Sequence, residues 1–95
     1  MATVLIDGEN VRRSIWPNVA RDELVDRAAR WASRHGHDAV VVWETHETAD
    51  DAIARAVQEV EPPVWVVTSD RELRGRVTPY ATRVIGGGSF VRDVA

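Results

Sequence analysis

The chain has 95 residues, 44% of them hydrophobic, with a formal net charge of -3 and a pI of about 5.5. That length supports one domain over residues 1–95 with one core, and the acidic balance excludes the overall basic field of many nucleic-acid binders. The chain lacks cysteine, which excludes disulfides, thiolate catalysis and cysteine zinc sites and suits the cytoplasm.

No apolar run approaches the ~20 residues of a membrane helix, so no membrane association is expected. Asp7 and Glu9 interrupt the N-terminus where a signal peptide would stay apolar. All 12 basic residues are arginine, a side chain suited to bidentate phosphate contacts, although a bias in nucleotide composition has the same outcome.

Val4-Leu5-Ile6 followed by Asp7-Gly8-Glu9-Asn10 reads as a buried strand whose last side chain reaches the rim of a sheet, and then a turn. Residues 11–18 have no clean period and contain Trp16-Pro17, which predicts a loop or a short helical turn. Asn18 can cap the next helix, where Leu24, Val25, Ala28, Trp31 and Ala32 recur at helical spacing until Gly36. Ala39 to Trp43 is the second strand, with Glu44 at its exit. A helix over 49–60 is predicted to bury Ile53, Val57 and Val60 before Pro62-Pro63 stops it.

Val64 to Thr68 is the third strand. Ser69 with Glu72 three residues later matches a capping box, so a helix to about Val77 is expected. Thr82 to Ile85 is a fourth strand, and Gly86-Gly87-Gly88 leads into a last helix around 90–94. The alternation predicts an α/β fold: a three-layer α/β/α domain with a small, mainly parallel sheet of Rossmann-like type. The economical strand order is 2-1-3-4, with a crevice between the first and third strands at their carboxyl ends.

Three hydrophobic runs thus hand over to acids, Asp7, Glu44 and Asp70, which parallel strands would gather at one edge. Clustered carboxylates repel one another, and a hard divalent cation such as Mg2+ or Mn2+ removes the repulsion and bridges to phosphate. Asp7 also fits a plain Asp-Gly turn. Asp70 also fits a helix start, where the dipole favours an anion. Asn10 can orient Asp7, contact a substrate phosphate or satisfy turn backbone.

In the helix over 49–60, Asp51 completes an acidic capping box with Thr48, whereas Asp50 lies on the inward face with Ile53 and Val57. A carboxylate on an inward face at a helix start needs a reason, which a metal supplies. Glu72 belongs to its own capping box and can also reach a second metal; Glu44 stands at the right edge or is simply solvated. Arg12, Arg13, Arg71, Arg74 and Arg76 follow closely on Asp7 or Asp70, either as a basic rim for a phosphate backbone or as solvated helix faces. His46, between Glu44 and Glu47, is a candidate substrate contact. His35 and His37 bracket a helix end, which suits a capping role. Trp43 and Trp65 are expected in the strand core, and Trp16 either stacks on a base or packs with Pro17 over a helix.

Ile6-Asp7-Gly8-Glu9-Asn10-Val11, Trp16-Pro17, Val41-Val42-Trp43-Glu44 with His46, Glu47-Thr48-Ala49-Asp50-Asp51, and Val67-Thr68-Ser69-Asp70-Arg71-Glu72-Leu73 together resemble the YacP-like NYN domains of the PIN-like nuclease group. The segments occur in family order and cover most of the chain. The resemblance implies a Mg2+- or Mn2+-dependent endoribonuclease acting on single-stranded or structured RNA. Asp7, Asp50 and Asp70 would be its metal and catalytic carboxylates, with Glu44 and Glu72 as accessory acids.

Two departures stand out: Glu44 replaces the usual Asp, and Thr45-His46 replaces a longer stretch expected to include an edge strand. Such a compact form is compatible with a noncatalytic RNA-binding or protein-interaction module. It also leaves an edge of the second strand open for a homodimer.

Overall fold

The structure, a computed structural model, describes residues 1–14 and 16–94. Ile15, inside the predicted loop, and Ala95, the last residue of the predicted domain, lie outside the described residues. Four strands are formed: β1 (Thr3–Asp7), β2 (Asp38–Val42), β3 (Val64–Val67) and β4 (Arg83–Ile85). The helices are α1 (Gly8–Arg12), α2 (Arg21–His35), α3 (Ala49–Glu59), α4 (Arg71–Val77) and α5 (Gly87–Val94). The sheet has the order β2-β1-β3-β4 and every pairing is parallel, as the alternation of elements predicts.

Parallel strands covered on both faces must be apolar on both faces, and β1 shows this directly. Val4 and Ile6 face α1, α2 and α5, packing with Val11, Leu24, Trp31 and Phe90. Leu5 faces α3 and α4, packing with Ile53, Val57, Leu73 and Val77. Each of these fully buried aliphatic side chains contributes about 1.5–3 kcal/mol relative to exposure. Among the described residues, no helix is long and apolar enough to cross a membrane.

Several local expectations change. Asp7-Gly8-Glu9-Asn10 does not make a turn: helix α1 begins directly at Gly8. A Cβ at Gly8 would come within 2.6 Å of the Trp43 ring, so glycine here serves close packing at the strand exit. Trp43 lies just beyond β2 and is half-buried over Gly8; Trp65 is within β3 but also half-buried, with the Arg83 guanidinium 5.0 Å from its ring centre.

Helix α2 starts at Arg21 after Ala20, not at Asn18, and Val25 is 41% exposed because it flanks the buried stripe of Leu24, Ala28 and Trp31. Its C-terminus behaves as expected, with Gly36 at φ 70°. The His37 side chain caps nothing; its Nδ1 accepts from the Ala2 N–H at 3.0 Å and ties the chain start to β2. Trp16 is 85% exposed, so it does not pack over a helix.

Candidate functional site

The carboxyl ends of β1 and β3 flank the point where strand order reverses, the usual place for a ligand in such a sheet. A cleft of about 300 Å³ opens there, lined by Asp7, Glu9, Asn10, Glu44, Thr48, Ala49, Asp50 and Asp70. Five separate elements or their ends thus deliver carboxylates: β1, α1, the exit of β2, the start of α3 and the start of α4.

Asp7 closes β1 and is only 5% exposed. Although it occupies the cap position of α1, its side chain makes no capping bond. Its Oδ2 accepts instead from the fully buried Thr68 hydroxyl at 2.9 Å. Burial pushes the Asp7 pKa up, the Thr68 hydrogen bond opposes the rise, and the charges of Asp50 and Asp70 add to it.

Asp50 and Asp51 separate as the helical geometry predicts. Thr48 Oγ1 accepts from the Asp51 N–H at 3.1 Å, capping α3. The reciprocal arm of the box is not made, because the Asp51 carboxylate turns outward to Arg76 at 3.0 Å. Asp50 is half-buried in the cleft wall. Its pKa is also raised, first by burial and then by the Asp70 charge, with Arg76 opposing and Glu72 reinforcing.

Asp70, not Ser69, caps α4. Its Oδ1 accepts from the Glu72 and Leu73 N–H groups at 2.9 and 3.2 Å, so the predicted Ser69–Glu72 box does not form. The shift by one residue has a reason: Ser69 is used elsewhere, its N–H donating to Asn10 Oδ1 and its Oγ accepting from the Gly87 N–H, both at 2.8 Å. Asn10 thereby joins α1 to the β3–α4 turn. Glu72 is exposed and does not line the cleft, although its charge reaches Asp50.

The predicted basic residues are distributed unevenly. Arg13 and Arg12 pair with Glu9 at 3.3 and 3.8 Å, and Arg21 joins them at 2.7 Å. Arg12 Nε is buried without a hydrogen-bond partner. Arg74 is not part of a solvated face; it is half-buried and donates to the Thr68 carbonyl at 3.2 Å. Arg76 is engaged by Asp51, and Arg71 is exposed. His46 is exposed on the link after β2, outside the cleft lining.

Sequence reasoning assigned no role to Thr68, whose hydroxyl both donates to Asp7 and accepts from the Asp70 N–H at 3.1 Å. Its position directly after a buried strand and two residues before Asp70 was the available signal. Glu9 is the hub of three arginines, and its i,i+3 and i,i+4 spacing to Arg12 and Arg13 is visible in the chain.

The donor chemistry of the cleft, mainly carboxylate oxygen with Asn10 and Thr48 beside it, suits a hard divalent cation, and raised carboxylate pKa values are what such an ion would relieve. Among the described residues, no group of three or more His, Asp or Glu side chains is drawn close enough together to hold a metal ion. The acids therefore share a cleft without forming a closed cage.

No protein-family profile matches the chain, and no curated protein matches it. Among solved structures, a crystal structure of Rae1 (YacP) from Bacillus subtilis, a single-substitution mutant, matches with a TM-score of 0.84 at 23% identity. The match covers 99% of this chain and 75% of that one. The likeness is one of fold: this chain has a YacP-like fold.

Proposed function

We propose that the protein is a metal-dependent endoribonuclease that hydrolyses RNA phosphodiesters at the acid cleft. The observation that carries this reading is the delivery of Asp7, Asp50 and Asp70 from three separate elements to one cleft at the carboxyl edge of the sheet. The YacP-like fold and the family resemblance of the motifs add to it.

Asp7, Asp50 and Asp70 would hold Mg2+ or Mn2+, with Glu44 on the cleft wall as an accessory acid and Glu72, outside the lining, acting through its charge. When bound, the ion would supply an activated water and stabilise the oxygen that leaves phosphorus. The chain's own part is positioning. Thr68 fixes Asp7 and, through the Asp70 N–H, the start of α4. Capping occupies Asp70 Oδ1 and leaves Oδ2 for the cleft. Asn10, Arg12, Arg13, Arg71, Arg74 and Arg76, with His46 at the link, would supply the substrate-binding groups; Arg13 and Arg71 are exposed, whereas Arg74 donates to the Thr68 carbonyl and Arg76 to Asp51.

Purified protein with Mn2+ should cleave single-stranded or structured RNA, and Asp70→Asn should abolish cleavage. Equal product formation by both would sink this reading. The second reading, a noncatalytic RNA-binding or protein-interaction module, is favoured by one observation, the open spacing of the carboxylates. It predicts RNA retention without products and no heat of Mn2+ binding at millimolar metal.

The cytoplasm is the compartment that suits this activity. A second copy would pair along the β2 edge, where Val40 is 45% exposed. A sedimentation measurement showing monomer alone would remove that part.

A further inference from the structure

Beside the acid cleft, and sharing Glu9 and Asn10 with it, lies an open groove of about 540 Å³ lined by Glu9, Asn10, Arg13, Ser14, Ser69 and Gly88. Its chemistry is the reverse of the cleft's. Glu9 is the one acid on its wall, and three guanidiniums converge on that carboxylate. Arg13 is the arginine on the groove wall itself, while Arg12 and Arg21 reach Glu9 from outside the lining and Arg21 also lies over the Trp43 ring at 5.0 Å; one negative charge does not balance these three, so the Glu9 end of the groove is bordered by surplus positive charge.

The Arg13 and Arg21 side chains are 67% and 61% exposed. Each guanidinium has five N–H donors, far more than one shared carboxylate can accept. Asn10 and Ser69 add to this donor surface. The Asn10 Oδ1 is occupied by the Ser69 N–H, which leaves the amide NH2 to donate elsewhere. Ser69 Oγ already accepts from the Gly87 N–H, which leaves its hydroxyl hydrogen free to donate. Gly88, on the same wall, keeps the groove open by having no side chain.

We propose that this groove is a phosphate subsite, holding a phosphodiester group of the RNA next to the one placed at the acid cleft. The identity of the ligand rests on the ribonuclease reading; the donor surplus does not. In the free protein Glu9 keeps Arg13 and Arg21 ordered, and an arriving phosphate takes up the donors that Glu9 cannot. Bidentate guanidinium–phosphate pairing suits this exchange. Glu9 then stands at the boundary between a cation-seeking cleft and an anion-seeking groove, so a bound strand is registered across both.

The test is anisotropy of a short fluorescent single-stranded RNA in EDTA, where nothing is cut. Gly88→Asp is the sharpest variant. A Cβ there meets only Arg92 Nη1, at ordinary contact distance of 3.8 Å, and an acid in the first turn of α5 suits the helix dipole, so the fold tolerates it. Arg13→Glu is the second, and Arg34→Glu, the same charge change near the C-terminal end of α2, is the control.

Gly88→Asp and Arg13→Glu should each weaken binding about tenfold or more, and Arg13→Glu should lower the salt slope by roughly 0.7. Arg34→Glu should have a clearly smaller effect. Equal losses in Arg13→Glu and Arg34→Glu, full affinity in Gly88→Asp, or a wild type that retains no RNA would each overturn the proposal. Selective loss without any Mn2+-dependent product sinks the ribonuclease reading and keeps the subsite. Products from a wild type whose groove variants bind RNA normally sink the subsite and keep the ribonuclease.

Discussion

The acid cleft and the arginine groove adjoin along Glu9 and Asn10, yet they handle like charge in opposite ways. In the cleft, carboxylates from distant parts of the chain line a wall without an arginine, and Asp7 and Asp50 hold their protons more tightly, first because they are buried and then because of the neighbouring acids. At the edge of the groove, one carboxylate collects three arginines, Arg13 on the wall and Arg12 and Arg21 beside it. The net charge of -3 describes neither region. What matters is how the fold sorts charge: it separates an anion-rich cleft from a cation-rich groove within one edge of the sheet.

The largest expected effect falls on the cleft. Asp7→Asn and Asp50→Asn should each lower Mn2+-dependent RNA cleavage by at least ~100-fold, since loss of a metal-holding carboxylate removes several kcal/mol of charge stabilisation. Gel-resolved product formation checks this, and cleavage at the wild-type rate in either variant would break the contrast with the groove.

Next is Thr68→Val, which keeps the shape and deletes a hydroxyl bonded on both sides. It leaves the buried Asp7 Oδ2 and the Asp70 N–H without their partner, at a cost of about 1–3 kcal/mol. Thermal melting should fall by roughly 4–8 °C for each kcal/mol lost. An unchanged Tm would mean that the cleft is not held by this bond.

The raised pKa values of Asp7 and Asp50 give a third expectation, for metal-free protein. A carboxyl whose folded pKa lies above its unfolded value binds protons more tightly when folded. Its stabilisation is complete below the ordinary carboxylate range and is lost as pH rises through the folded value. Melts in EDTA should therefore show a decline from these groups as pH rises above the ordinary carboxylate range, and Asp50→Asn should flatten it. A decline of equal size in Asp50→Asn would place its origin elsewhere.

The smallest effect should come from Asp51→Ala. Asp51 is exposed and pairs only at the surface with Arg76, so stability should change by less than about 1 kcal/mol and cleavage not at all. The contrast between adjacent residues is the sharpest check on the cleft: Asp50 should matter for activity and Asp51 should not.

Much of the architecture is legible in the chain. Val4 to Ile6, Val40 to Val42 and Val64 to Val67 are continuous apolar runs that mark strands of a parallel sheet, with β1 and β3 largely buried and β2, at the sheet edge, leaving Val40 exposed, and the helices between them carry one apolar stripe each. Asp50 and Asp51 could be told apart because helical period alone turns one inward and the other outward. Thr48 and Gly36 were equally readable, since caps depend on residue type at a fixed offset.

Where the reading went astray, the reason was a partner far away in sequence. Ser69 looked like a cap by every local rule, but Asn10 and Gly87 claim it, and the cap moves to Asp70. Gly8 looked like a turn residue, but Trp43 lies against it and helix α1 begins there. Arg74 fitted either a phosphate-binding rim or a solvated helix face, and instead it donates to the Thr68 carbonyl just beyond β3.

The sequence by itself determined the strand order, the two-faced core and the edge at which Asp7 and Asp70 emerge, because hydrophobic period and parallel crossovers leave few alternatives. Tertiary structure decided which hydroxyl steadies Asp7, which residue caps α4 and which arginines Glu9 gathers. Those choices depend on side chains meeting across gaps of many residues, as Thr68 meets Asp7 across 61 positions, and spacing along a chain does not encode such meetings.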